Sequence, residues 1–222
     1  MLANALNGFE RGRSYVRSAN IDVLTHIYDD DINLAGWQRP VNRNAKAYAE
    51  QYLKHNVSDN LQGALDLKTH QRWLTRKLPN HSHKQDFIED VVEVIEIFAY
   101  LFELEEVGFR LTPIQDTMCP RFHVDKVQCR LVTTYAGPGT ECLDNHHRIR
   151  KQLLSKSFSE TEVPTELIQT LNEQEIGLLK GERWNETESF GVIHRSPPAS
   201  RSAALSANSS QARLLLTLDI IN

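Results

Sequence analysis

A chain of 222 residues, 40% of them hydrophobic, suits one domain of ordinary size with a real core. Its net charge of −4, with no basic stripe, argues against nucleic acid as a partner, and no apolar run is long enough to cross a membrane. Three cysteines, Cys119, Cys129 and Cys142, form no Cys-x-x-Cys pair, and the N-terminus lacks a signal-peptide pattern, so a reducing, cytoplasmic setting is expected.

Residues 1–20 are polar and irregular and are expected to be a flexible N-terminus, followed by a single domain over 21–222. Residues 21–24 and 32–37 read as short strands around the acidic run Asp29-Asp30-Asp31, and Trp37-Gln38-Arg39-Pro40 closes the second of them. Residues 45–53 are a good helical stretch, whereas 61–78 is mixed. Phe87, Val91, Val94, Ile95, Phe98 and Leu101 recur at helical spacing between acidic residues and predict an amphipathic helix, with Ser82-x-x-Gln85 as a capping box. The helical part, 21–106, then gives way to strands over 107–111, 121–125, 127–135, 176–179, 191–194 and 214–221. In the third of these, Val127, Cys129, Leu131, Thr133 and Tyr135 alternate with Gln128, Arg130, Val132 and Thr134 at period two. A charged insertion with a helix opened by Pro164 occupies 144–175, and 196–212 reads as a long lid-like loop. The expected fold is α+β: an antiparallel double-stranded β-helix, jelly-roll or cupin-like, over 107–222, packed against the N-terminal helices.

The chemistry centres on Cys119-Pro120-Arg121-Phe122-His123-Val124-Asp125. Residues two apart on a strand point the same way, so His123 and Asp125 can supply two ligands of one metal. The third candidate is His194, which ends an apolar run 194 − 123 = 71 residues downstream, and two His with one carboxylate make the facial triad of non-haem iron oxygenases. Arg213 opens the next strand and is the candidate carboxylate partner, with Arg195 and Arg130 as rivals. Thr133 and Tyr135 share a strand face and could line the pocket. Cys119, or His146 and His147, could complete a closed zinc site instead.

The order His-x-Asp, distal His, then Arg resembles the Fe(II)/2-oxoglutarate dioxygenases, which implies Fe(II) and 2-oxoglutarate as cofactors and Arg213 on the far carboxylate of the co-substrate. Longer motifs, Trp37-Gln38-Arg39, Met118 to Asp125, Arg130 to Tyr135, Gly137 to Glu141, Leu179-Lys180-Gly181 and His194 to Pro197, resemble an uncharacterised bacterial domain family of unknown function. Members of that family are often encoded beside zinc-regulated metal-chaperone GTPases, which implies a link to zinc homeostasis. Cys142 departs from the family pattern, where Trp is expected, and implies a looser pocket if it packs beneath the site. The expectation is thus a metal-binding jelly-roll oxygenase acting on an unidentified small molecule or protein; the alternatives are a non-catalytic zinc protein and a binding module whose polar residues are structural.

Overall fold

The computed structural model describes residues 14–56, 59–115, 119, 121–143, 163, 165–185, 191–197 and 212–221. In chain order the elements are β1 (Ser14–Ser18), a 3-10 helix (Ile21–Tyr28), β2 (Ile32–Trp37), α1 (Arg43–His55), β3 (Leu61–Asp66), α2 (His70–Lys77) and α3 (Lys84–Leu101). Then come β4 (Glu106–Ile114), β5 (Cys129–Ala136), β6 (Glu141–Leu143), a 3-10 turn (Thr165–Leu167), β7 (Ile168–Thr170), β8 (Ile176–Lys180), β9 (His194–Arg195) and β10 (Arg213–Ile220). Seven strands form one sheet in the order β1-β2-β8-β5-β10-β4-β3, antiparallel except for β1 against β2, and β7-β6-β9 form a second. The mixture of helices and strands is as expected, although β1, β2 and β3 fall within the stretch that precedes β4. No described helix is long and apolar enough to cross a membrane.

Local sequence explains the helices. Asn42 caps α1 by accepting from the backbone N–H groups of Asn44 and Ala45, and Lys54 and His55 lie in the last turn, where cations suit the helix dipole. The apolar stripe of α3 buries Phe87, Val91, Val94, Ile95 and Phe98. The expected capping box is not formed: His83, at φ 63°, holds the N-cap, and Gln85 instead donates to Glu89 at 2.9 Å. Residues 21–24 also differ from expectation, forming the 3-10 helix capped by Asn20.

Alternation along each strand gives the large sheet two different faces. Val107, Phe109 and Leu111 of β4, Cys129, Leu131 and Tyr135 of β5 and Leu214, Leu216 and Leu218 of β10 point to the helices and join Tyr48, Tyr52, Phe87 and Phe98 in the main core. On the other face, Leu34, Val132 and Leu179 meet Cys142, Leu171 and Val192 beneath the small sheet. The site described next opens between the two sheets. The N-terminal reading also needs correction, because β1 lies within the segment expected to be flexible: it pairs with β2 from Ser14 to Ser18, and Arg17 clamps it by donating through Nε to Glu175 at 2.6 Å.

Candidate metal centre

His123 and His194 face one another across an isolated antiparallel bridge, in which each backbone N–H donates to the other's carbonyl, at 3.0 and 2.9 Å. His123 does not lie on a full strand as expected, but the bridge still points its ring and the Asp125 carboxylate the same way. Close approach here requires Gly181, where a Cβ would lie 2.1 Å from the Val127 carbonyl oxygen and 2.8 Å from that of Asp125. Each imidazole donates through Nδ1 to a backbone carbonyl, His123 to Arg121 at 2.9 Å and His194 to Val192 at 3.1 Å. That leaves each Nε2 turned toward the carboxylate. The two Nε2 atoms stand 3.6 and 3.2 Å from Asp125 Oδ1 and Oδ2, and the three ligand atoms all lie within 4.8 Å of one another. Two nitrogens and one oxygen so placed can take one face of a transition metal.

Arg130 organises the carboxylate. Its Nη1 donates to Asp125 Oδ2 at 2.6 Å, while Nε and Nη2 grip Asp219 at 2.6 and 2.7 Å. Burial pushes the Asp125 carboxyl up, but the hydrogen bonds from His123 and His194 and the Arg130 charge outweigh it and hold the group far below the usual carboxylate range. The Asp125 hydrogen bond raises the His123 imidazole above its ordinary value, against an opposing effect of burial.

A cavity of about 130 Å³ adjoins this cluster, and Arg213 lies in its wall. Only 4% exposed, Arg213 donates to Ser196 Oγ at 2.9 Å and, at 3.4 Å, to the Pro138 carbonyl and Thr140 Oγ1. No carboxylate pairs with it among the described residues, its Nε has no acceptor, and burial lowers its pKa to about 10. The rivals are committed elsewhere: Arg130 as above, and Arg195 to Glu141 at 2.8 Å with its guanidinium 4.0 Å over the Phe122 ring.

Thr133 and Tyr135 are not in the cavity, and that expectation is corrected. Thr133 pairs with Leu216, a residue of the helix-side core, and Tyr135 donates to Asp90 at 2.6 Å beneath Phe87. The cavity uses the opposite face, through Arg130 and Val132. Cys119 is exposed and lines the cavity but is not one of the three clustered ligands, and His146 and His147 lie outside the described residues. Cys142 pairs directly with His194 and is buried between the sheets, beneath the site. Sequence reading missed Asp219, Thr140, Ser196, Arg110 and Thr217. For β10 the signal was present, since Arg213, Thr217 and Asp219 fall on alternate positions opposite three leucines.

Residues 18–219 match the family described as Protein of unknown function (DUF1826). The chain belongs to that family. No curated protein sequence matches it. Among solved structures, this DUF1826 chain is similar to AtDAO1, the dioxygenase for auxin oxidation 1 from Arabidopsis thaliana in its 2-oxoglutarate binary complex, with TM-score 0.52 and 9% identity over 94% of this chain and 92% of that one. It is similar also to JOX2 in complex with 2OG, Fe and JA, with TM-score 0.51 and 10% identity over 94% of this chain and 74% of that one. At these identities the likeness is one of fold.

Proposed function

We propose that this DUF1826 protein is a cytoplasmic Fe(II)/2-oxoglutarate-dependent oxygenase built on an antiparallel double-stranded β-helix, with His123, Asp125 and His194 as metal ligands. The observation that carries the reading is Arg213: a buried cation with, among the described residues, no carboxylate of its own and no partner for its Nε, in the same cavity as a cluster of three possible ligands. An uncompensated buried charge is costly, and a dicarboxylate entering the cavity would relieve that cost while satisfying the orphaned donor. The donor set suits the group, since two imidazoles and one carboxylate leave further positions on a metal open.

Fe(II) held there would supply activation of dioxygen coupled to oxidative decarboxylation of 2-oxoglutarate. The chain's residues supply the rest. Arg213 presents a planar fork to the distal carboxylate, with Ser196 and Thr140 holding its Nη atoms in place. Arg130 occupies Asp125 Oδ2 and leaves Oδ1 for coordination. Apolar Val132 and Leu215 in the wall exclude water from the co-substrate chain. A closed zinc site is less well supported, because among the described residues the cluster holds three ligands and no fourth.

The test is anaerobic titration of 2-oxoglutarate into the Fe(II) protein, following the metal-to-ligand absorption band. Wild type is expected to develop the band. Arg213→Ala should bind 2-oxoglutarate more weakly by about 2–5 kcal/mol, the cost of removing one member of a buried charge pair, with metal affinity retained. Absence of the band in wild type would overturn the oxygenase reading, and an unchanged titration in the variant would remove Arg213 from the role.

A further inference from the structure

Four arginines line the cavity, and they divide by what they hold. Arg130 is paired with Asp125 and Asp219, Arg195 with Glu141, and Arg213 is enclosed among Ser196, Thr140 and Pro138. Arg110 is different. It is exposed, and its guanidinium has no hydrogen-bond, ion-pair or ring partner among the described residues. Asp219, the acid on the same face of β10, is already committed to both Nε and Nη2 of Arg130.

Beside Arg110, the register of the sheet sets Thr217 directly across from it on β10. Thr217 is 6% exposed, lines the same cavity, and its Oγ1 is buried without a hydrogen-bond partner among the described residues. A buried hydroxyl left unpaired costs stability unless something meets it. Thr217 stands four residues along β10 from Arg213, roughly 13 Å between backbone positions at strand rise. The cavity therefore carries two cations of opposite character on separate stretches of the sheet, one enclosed and one open to solvent.

We infer that Arg110 and Thr217 form the subsite for an anionic oxygen group, a carboxylate or a phosphate, on the primary substrate. The inference rests on the oxygenase reading for the identity of the enclosed end. Arg110 supplies the charge and a two-pronged set of donors, and the Thr217 hydroxyl supplies a third donor from within the wall. Exposure suits a group that must enter and leave with each turnover. The substrate class is accordingly a small molecule with an acid group at one end, whose remainder extends past the metal cluster.

The experiment is ligand-observed NMR with benzoate, hexanoate and phenyl phosphate, each compared with its neutral counterpart, benzamide, hexanamide and phenol. Wild type, Arg110→Ala, Arg110→Lys and Arg213→Ala are compared, with and without saturating 2-oxoglutarate. Wild type is expected to bind at least one acid roughly tenfold more tightly than its neutral partner, as one charge-assisted pair implies. The preference should vanish in Arg110→Ala, return in part in Arg110→Lys, and persist in Arg213→Ala. Binding of acids and neutral partners alike, binding of none of the acids, or a preference that survives Arg110→Ala but is lost in Arg213→Ala would overturn the assignment. Because the measurement without 2-oxoglutarate needs neither metal nor turnover, its failure is separable from failure of the oxygenase reading.

Discussion

The two faces of the seven-stranded sheet are made from the same strands, yet they are finished differently. On the helix side, Leu131, Leu214, Leu216 and Leu218 are fully buried, and the charged group that enters is matched: Asp90 accepts from Tyr135 at 2.6 Å, Arg39 at 2.7 Å and Asn42 at 3.2 Å, while Thr133 Oγ1 is buried without a partner among the described residues. On the cavity side, Arg213 Nε and Thr217 Oγ1 are buried with no partner among the described residues, and Arg110 has none among them either. Buried polar groups are normally satisfied, and what sets the cavity side apart is that its exceptions include a buried cation as well as a hydroxyl. The first face is finished as a core, and the second keeps a charge unmatched among the described residues.

Breaking the second face should give the largest effect with the least cost to the fold. Asp125→Ala and His194→Ala are each expected to lose stoichiometric Fe(II) or Zn(II) binding by titration calorimetry, while circular dichroism and the unfolding midpoint stay near those of the metal-free wild type. Unchanged affinity in both variants would remove the cluster from consideration.

The helix side should respond in the opposite way. Leu216→Ala deletes a fully buried side chain in the main core and should lower unfolding free energy by about 2–5 kcal/mol in a denaturant titration, with metal affinity of the folded fraction preserved. A loss of metal binding beyond the loss of fold would show that the faces are coupled more tightly than their packing implies.

Tyr52 sharpens the contrast at smaller scale. Its hydroxyl donates to the Asp59 carbonyl at 2.6 Å, and Tyr52→Phe should cost about 1 kcal/mol. Burial pushes its phenol from the ordinary 10.0 up to about 12. The folded state thus prefers the neutral phenol; this contribution is fully present below pH 10.0 and fades as pH rises to about 12. Stability measured across that window should fall less steeply in the variant than in wild type, and the site's metal affinity at neutral pH should not move.

Sequence reading brought His123, Asp125 and His194 together as candidates because a spacing of two is itself geometric: whatever backbone sets His123 and Asp125 on extended chain points them alike. It placed Thr133 and Tyr135 wrongly because alternation reveals that a strand has two faces but not which of them receives the helices. When both faces of β5 are covered, the apolar one looks like a pocket lining and is in fact the core. Arg130 looked like a rival for the co-substrate because Asp219 is distant along the chain. β1 escaped notice because Ser14-Tyr15-Val16-Arg17-Ser18 has little apolar pattern, and its order comes from β2 and from Arg17 gripping Glu175. The short apolar run at 21–24 could have been strand or helix, and the Asn20 cap decided it.

The backbone bridge between His123 and His194 joins positions 71 residues apart with only two hydrogen bonds. A metal held by both rings and Asp125 would act there as a clasp, shutting that loop and favouring the closed chain over every opened one by mass action. On the proposed reading, a clasp of that kind would make resistance to proteolysis at residues 123 and 194 rise with metal supply.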